Sequence, residues 1–370
     1  MKELFIGKKK RGTQKALLKT FLAFFYVYGF LVGIKLLGTS LKGFGTGFAH
    51  TLISTTSNPF VGLIIGILTT ATIQSSSATT SLVVGFVASG ALHVRNAIPI
   101  IMGANIGTSV TNLIVSFTHI TRRDEFKKAF PAAAVHDIFN LLSVLVYFPL
   151  EMKFHLIEKF SHMLAKAFQH AGGFKFTSPL KIIVKPVVHL LVNLFRHNYI
   201  ICFIVAFGLV ILFLVLLVRL LRGASSGKLE ILIDRYLFSS AIASGVLGFA
   251  LTVFVQSSSV TTSLIVPLVG AGLLTVEKIF PYTLGANVGT TFTAILASLV
   301  TGSFYSIQAA FAHLSFNILG IILWYPLRIV PIWLAKQLGN VAARKRYVAV
   351  LYVLFVFFII PLTLVFIMRR

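Results

Sequence analysis

Two tracts in this chain carry the residue types that hold an oxyanion. Gln74-Ser75-Ser76-Ser77-Ala78-Thr79-Thr80-Ser81 returns 182 residues later as Gln256-Ser257-Ser258-Ser259-Val260-Thr261-Thr262-Ser263. Both offer hydroxyls and primary amides and no carboxylate, so they can donate to an anion without repelling it. Serine is also a strong helix N-cap. If each tract opens a helix, its unpaired amides and positive dipole end face the same opening, an arrangement that attracts phosphate-like groups.

The repetition continues downstream. Gly103-Ala104-Asn105-Ile106-Gly107-Thr108 recurs at the same spacing as Gly285-Ala286-Asn287-Val288-Gly289-Thr290, with Pro99 and Pro281 in register. Gln74, Ser75, Ser76, Ser77, Gln256, Ser257, Ser258 and Ser259 are therefore the expected anion-binding set. Thr79, Thr80, Asn105, Thr108, Asn112, Thr261, Thr262, Asn287, Thr290 and Thr291 add neutral oxygens suited to a hard cation. Such a site fits a charged oxyanion neutralised by sodium. The alternative, that these residues only bind packed helices together, explains one serine better than two matched eight-residue tracts.

Asp137 is the one acidic residue deep in a predicted span, where an ionised carboxylate costs several kcal/mol unless paired. Its repeat counterpart is Leu314, while His136, Asn140, His313 and Asn317 persist in both copies at a spacing of 177. A one-sided carboxylate suggests a cation site that the duplication does not share; a salt bridge or a helix-end hydrogen bond is the plainer reading. Two histidines without cysteine or carboxylate partners do not make a transition-metal site, so they are read as buried hydrogen-bonding residues, and sodium is the only metal expected. Glu230, Asp234 and Arg235 read as a solvated or interfacial charge cluster.

The elements that must position these groups are membrane helices. Apolar residues make up 57% of the chain, charged residues 11%, and mean hydropathy is +0.93, which places it with integral membrane proteins. Leu17 to Leu37, Ile200 to Leu221 and Val348 to Met368 each reach the ~20 residues that span a hydrocarbon core. Barrel-type alternation is absent. The net charge of +24 lies in short Lys/Arg clusters between apolar runs, which mark cytoplasmic flanks and, alternatively, lipid contacts rather than nucleic acid. The basic N-terminus and the long run after it read as a retained first helix, not a cleaved signal. Cys202 reads as a small core residue.

The expected fold is an all-α polytopic membrane protein of two inverted-topology repeats. Residues 1–14 form a cytoplasmic tail, 15–170 the first repeat, 171–197 a basic connecting loop, 198–346 the second repeat, and 347–370 a final transmembrane helix. A Gly- and Ser-rich connection follows the first helix. In each repeat, two apolar stretches too short to span singly flank the serine tract, which predicts a re-entrant hairpin. A helix broken at the Gly-Asn-Gly segment follows, then a returning helix and an amphipathic interfacial helix, near residues 151–170 and 328–346. The two serine hairpins are preceded by spans of opposite direction, the organisation that brings broken helices together at mid-membrane in secondary transporters. The span count puts the C-terminus outside, whereas Arg369-Arg370 favour the cytoplasm; that end stays unassigned.

These motifs resemble the type II sodium-phosphate cotransporter family, whose hallmark is a paired QSSS motif in inverted repeats. The resemblance covers Pro99 to Asn112, Val135 to Pro149, Pro281 to Leu296 and Phe316 to Leu338 as well. It implies sodium-driven uptake of inorganic phosphate by alternating access, with both QSSS segments forming the substrate site and no cofactor beyond the transported ions. It also implies electrogenic transport of divalent phosphate through an additional sodium at Asp137, since members with glycine there are electroneutral. Animal members carry a long disulfide-bonded loop between the halves, and many bacterial relatives a soluble domain after the membrane region. The short, cysteine-free residues 151–197 and the end at Arg370 suit a compact bacterial plasma-membrane form.

The competing readings are a sodium-coupled carrier of another oxyanion (arsenate, sulfate or a dicarboxylate), a passive channel, and a membrane lipid-phosphate phosphatase. The last needs acid–base and nucleophilic partners that the serine tracts lack.

Overall fold

Tandem apolar stretches separated by Gly, Ser and Pro punctuation fold here into helices alone among the described residues. The computed structural model describes residues 2–43, 58–168, 179–224, 238–301 and 303–368. The Gly/Ser-rich connection, the Glu230–Asp234–Arg235 cluster and Arg369-Arg370 fall outside the described residues.

Helix α1 (Lys2–Gly43) leads to the first hairpin, α2 (Pro59–Ile73) and α3 (Ser76–Ala88). Then come α4 (Val94–Gly107), α5 (Val110–Ser116) and the long α6 (Arg123–Phe154), followed by α7 (Leu156–Phe168) and α8 (Pro179–Leu194). The second half opens with α9 (Tyr199–Ala224) and a second hairpin, α10 (Ala241–Val255), α11 (Ser258–Ser263) and α12 (Val266–Gly270). Helices α13 (Val276–Thr301), α14 (Phe304–Trp324) and α15 (Ile329–Arg344) follow, and α16 (Arg346–Leu354) runs through a π turn at Phe355–Ile359 into α17 (Ile360–Met368).

Among the described residues, four helical stretches are long and apolar enough to cross a membrane: Val94–His119, Arg123–Phe154, Phe304–Trp324 and Arg346–Ile367. Exposed large apolar side chains such as Phe24, Ile242, Ile329 and Phe366 have no counterpart need in water and are accounted for by lipid. This is an all-α integral membrane protein.

The halves hold together in two ways. Within each, a hairpin's first helix lies against the helix that follows the hairpin: α2 on α4, and α10 on α13. Glycine permits the approach. A Cβ built on Gly103 would sit 1.9 Å from the Leu63 carbonyl oxygen, and one on Gly285 1.9 Å from that of Gly245, so any side chain there would force the backbones apart. Between the halves, elements are exchanged. Helix α3 packs on α13 and α14, while α11 and α12 pack on α5 and α6; likewise α7 packs on α14 and α15 on α6. Helices α1 and α9 pair with each other.

Three expectations need correction. The helix break expected in both copies occurs only in the first: α4 stops at Gly107 and α5 resumes at Val110, but α13 runs unbroken through Gly285–Thr290. At the break, Thr108 and Ser109 amides bond three residues back, to Asn105 and Ile106 carbonyls at 3.3 Å each, a tightened turn in place of α-helical pairing. Second, the connecting loop of residues 171–197 contains helix α8; its Val184, Val188 and Val192 recur every four residues and are buried where α8 meets α1 and α10. Third, the basic tail is not separate from the first helix, because α1 already begins at Lys2. The two expected amphipathic helices are present as α7 and α15.

Candidate anion site at the hairpin tips

The two hairpin tips are built alike. After α2, Gln74 takes the left-handed conformation (φ 57°, ψ 33°) and its amide donates to the Thr70 carbonyl; after α10, Gln256 does the same (φ 55°, ψ 36°) toward Thr252. This is a helix C-cap that favours glycine, and holding a side chain there costs about 1–2 kcal/mol. The next residue is extended and starts the second helix. Ser75 Oγ accepts from the Ala78 amide at 3.2 Å, and Ser257 Oγ from the Val260 amide at 3.4 Å. One serine oxygen satisfies one of the four amides that a helix start leaves open.

Both tips border one cavity of about 250 Å³. From the first tip come Gln74, Ser75, Ser77 and Ser81; from the second, Gln256, Ser257 and Ser259. Ser76 and Ser258 are buried behind the tips and do not line it. Helix α5 contributes Thr111 and α13 the matching Thr293, 182 residues on, while Lys35 and Thr39 enter from α1 and Lys185 from α8. Among the described residues, no aspartate, glutamate or histidine lines the cavity. Its polar surface consists of hydroxyls, primary amides and two ammonium groups, which suits an anion.

Sequence reasoning passed over Thr111, Thr293, Lys35 and Lys185. Thr111 and Thr293 were accessible through the 182-residue register. Thr111 Oγ1 donates to Gln74 Oε1, and the Gln74 side-chain amide donates to the Ala71 carbonyl, so the first tip's glutamine is held from both ends. No sequence signal places α1 and α8 beside the tips.

The residues expected to hold a cation are buried around this cavity but do not line it. Thr79 Oγ1 accepts from Thr70 at 2.9 Å, and Thr261 Oγ1 donates to the Ser257 carbonyl at 2.7 Å. Thr262 and Ser263 hydroxyls both lie 2.9 Å from Asn112 Oδ1, which ties the second tip to α5. Thr108, Thr290 and Thr291 donate to carbonyls of their own helices, those of Ala104, Ala286 and Val288. Thr80 Oγ1 is buried without a hydrogen-bond partner.

Asn105 and Asn287 join the halves. His313 Nε2 lies 3.1 Å from Asn105 Oδ1, and His136 Nε2 lies 3.0 Å from Asn287 Oδ1, each histidine reaching the asparagine of the other repeat. Asn140 donates to the Asn105 carbonyl at 2.9 Å and Asn317 to the Asn287 carbonyl at 3.1 Å.

Asp137 lies on α6 with no solvent exposure. It accepts from Ser109 Oγ at 2.9 Å, at the break between α4 and α5, and from the Tyr352 hydroxyl on α16. No ion pair among the described residues reaches it, so the salt-bridge reading is not met there. A buried carboxylate served by two hydroxyls and no cation is a costly arrangement. Tyr352 was also missed, because it stands outside both repeats.

A duplicated pair of Ser-capped hairpin tips borders one lysine-bearing cavity with no carboxylate among its described lining residues, in an all-α membrane protein with two homologous halves. The Na+/Pi-cotransporter family model matches residues 30–164 and 209–344, and the chain belongs to that family. It is 35% identical to human sodium-dependent phosphate transport protein 2B, over 91% of this chain and 63% of that protein. It is 34% identical to sheep sodium-dependent phosphate transport protein 2A, over 96% of this chain and 68% of the relative, and 35% identical to the rat 2A protein over the same shares. The chain thus spans about 63% of the length of the human relative. No solved structure matches it.

Proposed function

We propose that this protein is a secondary carrier that moves inorganic phosphate into the cell together with sodium. The supporting observation is the meeting of both serine tips at one cavity whose lining, among the described residues, holds hydroxyls, amides and lysines but no carboxylate. The names of its relatives, sodium-dependent phosphate transport proteins, favour the same reading. A phosphatase is disfavoured because the described lining residues include no carboxylate or histidine to act as base for a serine nucleophile.

In this reading the hairpins α2–α3 and α10–α12 enter and leave on the same side, one from each face of the membrane, and alternating access exposes the tips to each side in turn. The shortness of their helices supports it, since 15 and 13 residues in α2 and α3 fall below the ~20 needed to span. The two repeats are then inverted, the N-terminus is cytoplasmic, and the bilayer is the plasma membrane. Phosphate is held by tip hydroxyls and free amides. Sodium is held by the neutral oxygens behind the tips, with one further ion at Asp137 making transport electrogenic; no other cofactor is needed.

Uptake of labelled phosphate into proteoliposomes, with and without an inward sodium gradient, tests this. Saturating uptake that requires sodium is expected, and uptake indifferent to sodium would sink the cotransport reading. Competition by unlabelled phosphate, arsenate, sulfate and a dicarboxylate in the same assay separates phosphate from the other oxyanions.

A further inference from the structure

The last span, Arg346–Ile367, turns most of its surface outward. Val350, Leu351, Leu354 and Phe355 are exposed, and Tyr347 faces out with them, as suits a helix at the edge of the protein against lipid. Its inner face is narrow: Ala349, Val353 and Phe357 recur every four residues and are buried. Tyr352 adjoins that face and lies beyond both segments that match the family model. Its ring meets Phe130 edge-on, centroids 6.5 Å apart, and its hydroxyl donates to Asp137 Oδ2. Phe130 and Asp137 stand two turns apart on one face of α6, so one tyrosine spans both. The Arg346 guanidinium, which donates to the Thr121 carbonyl at 3.2 Å, pins the start of α16 to the turn before α6.

The two oxygens of Asp137 are not held alike. Ser109 Oγ lies 2.9 Å from Oδ1 but also 2.7 Å from the Ile106 carbonyl, and its single proton serves one acceptor at a time. The Tyr352 hydroxyl has no second acceptor among the described residues. The tyrosine is therefore the firmer restraint, and the Ser109 side of the carboxylate, at the break between α4 and α5, is the one with a choice of partner.

We propose that Tyr352 is a positioning residue for the cation coupled at Asp137: by holding Oδ2 from outside the repeats, it sets the carboxylate so that Oδ1 and the Ser109 hydroxyl present their lone pairs together at the α4–α5 break. Oxygens arranged in this way suit a hard cation, and a partner that orients a ligating carboxylate tunes the affinity of the ion. The proposal rests on the reading of Asp137 as the site of one further sodium ion. It makes the last helix, which belongs to neither repeat, part of the coupling machinery. The plainer role for the hydroxyl is to tether that helix to α6.

Phosphate uptake and phosphate-induced current of the full chain in proteoliposomes, over a series of sodium concentrations, separate the two roles. Tyr352→Phe keeps the ring against Phe130. Its half-saturating sodium concentration should rise roughly tenfold, with the KM for phosphate at saturating sodium close to wild type. In detergent, the sodium concentration needed to raise the thermal unfolding midpoint, with choline as the control cation, should rise in parallel. In an Asp137→Gly background the same substitution should leave the sodium dependence of uptake unchanged, because the group it positions is gone. Tyr347→Phe, on the outward side of the same helix, should match wild type throughout. An unchanged or lowered half-saturating concentration in Tyr352→Phe, an equal rise in both backgrounds, or a variant that no longer folds would overturn the proposal and assign the hydroxyl to tethering. Phosphate-induced current that persists in Asp137→Gly would instead overturn the reading of Asp137 on which the proposal stands.

Discussion

The two repeats share their tips and differ behind them. Gln74 and Gln256 have nearly the same left-handed geometry, and Ser75 and Ser257 the same cap. Behind the first tip's following helix, Asp137 accepts from Ser109 where α4 breaks; in the second half Leu314 stands in its place, Thr291 replaces Ser109, and α13 is continuous. Asn112 anchors Thr262 and Ser263 of the second tip, but its repeat counterpart is Ala294, and the first tip's Thr80 is left without a partner. The central amides differ too. Asn287 donates to Asn140 Oδ1 at 3.0 Å, whereas Asn105 turns back to the Ile101 carbonyl and Asn317 Oδ1 stays unpaired. Duplication therefore explains the part that faces the cavity, and divergence is concentrated one layer out, around Asp137, Asn112 and the central asparagines.

The largest effects are expected where the halves are the same. Gly103→Ala and Gly285→Ala each drive a methyl into a carbonyl oxygen of the facing helix, and overpacking of this kind costs about 3 kcal/mol. Both should lose folded, monodisperse protein to a similar degree in detergent, as read by size-exclusion chromatography and thermal unfolding. A tolerant second repeat would mean that the two crossings are not equivalent.

Where the halves diverge, the effect should be functional. Asp137→Gly is expected to abolish the phosphate-induced current while sparing phosphate uptake, and Leu314→Gly to leave the charge movement per phosphate unchanged. Persistent current in the Asp137 variant would remove the carboxylate from the coupling. Next in size, Asn112→Ala removes the acceptor of the buried Ser263 hydroxyl and one of the two acceptors of Thr262, which keeps the Ser258 carbonyl, and should cost roughly 1–3 kcal/mol in stability, with no equivalent loss from Ala294→Gly beyond glycine's helix penalty of about 1 kcal/mol. The smallest change is the reverse graft. Ala294→Asn offers Thr80 a partner and should stabilise by at most about 1 kcal/mol; a clear loss in the thermal unfolding midpoint instead would show that the first tip has no room for the second tip's anchor.

Much of the site could be read without coordinates because it was written twice. A serine tract at a 182-residue interval, each time between apolar stretches too short to span, carries its own signals for a hairpin and a serine cap, while the left-handed turn at Gln74 and Gln256 is seen only in the structure. The same interval relates Thr111 to Thr293, but a single threonine on a membrane helix carries no signal that sets it apart from one that packs helices. The helix break was half right, since Gly103 and Gly107 recur as Gly285 and Gly289 yet only the first copy breaks; local glycine content does not decide this where a partner such as Asp137 draws Ser109 aside. The connector reads as a loop in sequence because the buried stripe at Val184, Val188 and Val192 is short and interrupted by basic residues and Pro186.

By itself, the sequence determined the helical membrane class, the duplication, the two tips and the one-sided carboxylate, because hydropathy, N-cap chemistry and repeat spacing act over short stretches of chain. Only the tertiary structure decided that both tips border one cavity, that α1 and α8 bring Lys35 and Lys185 to it, and that Tyr352 from the last helix meets Asp137. Those contacts join residues on helices far apart in the chain, and they are settled by which helix faces pack together, a property of the whole assembly that no local pattern contains.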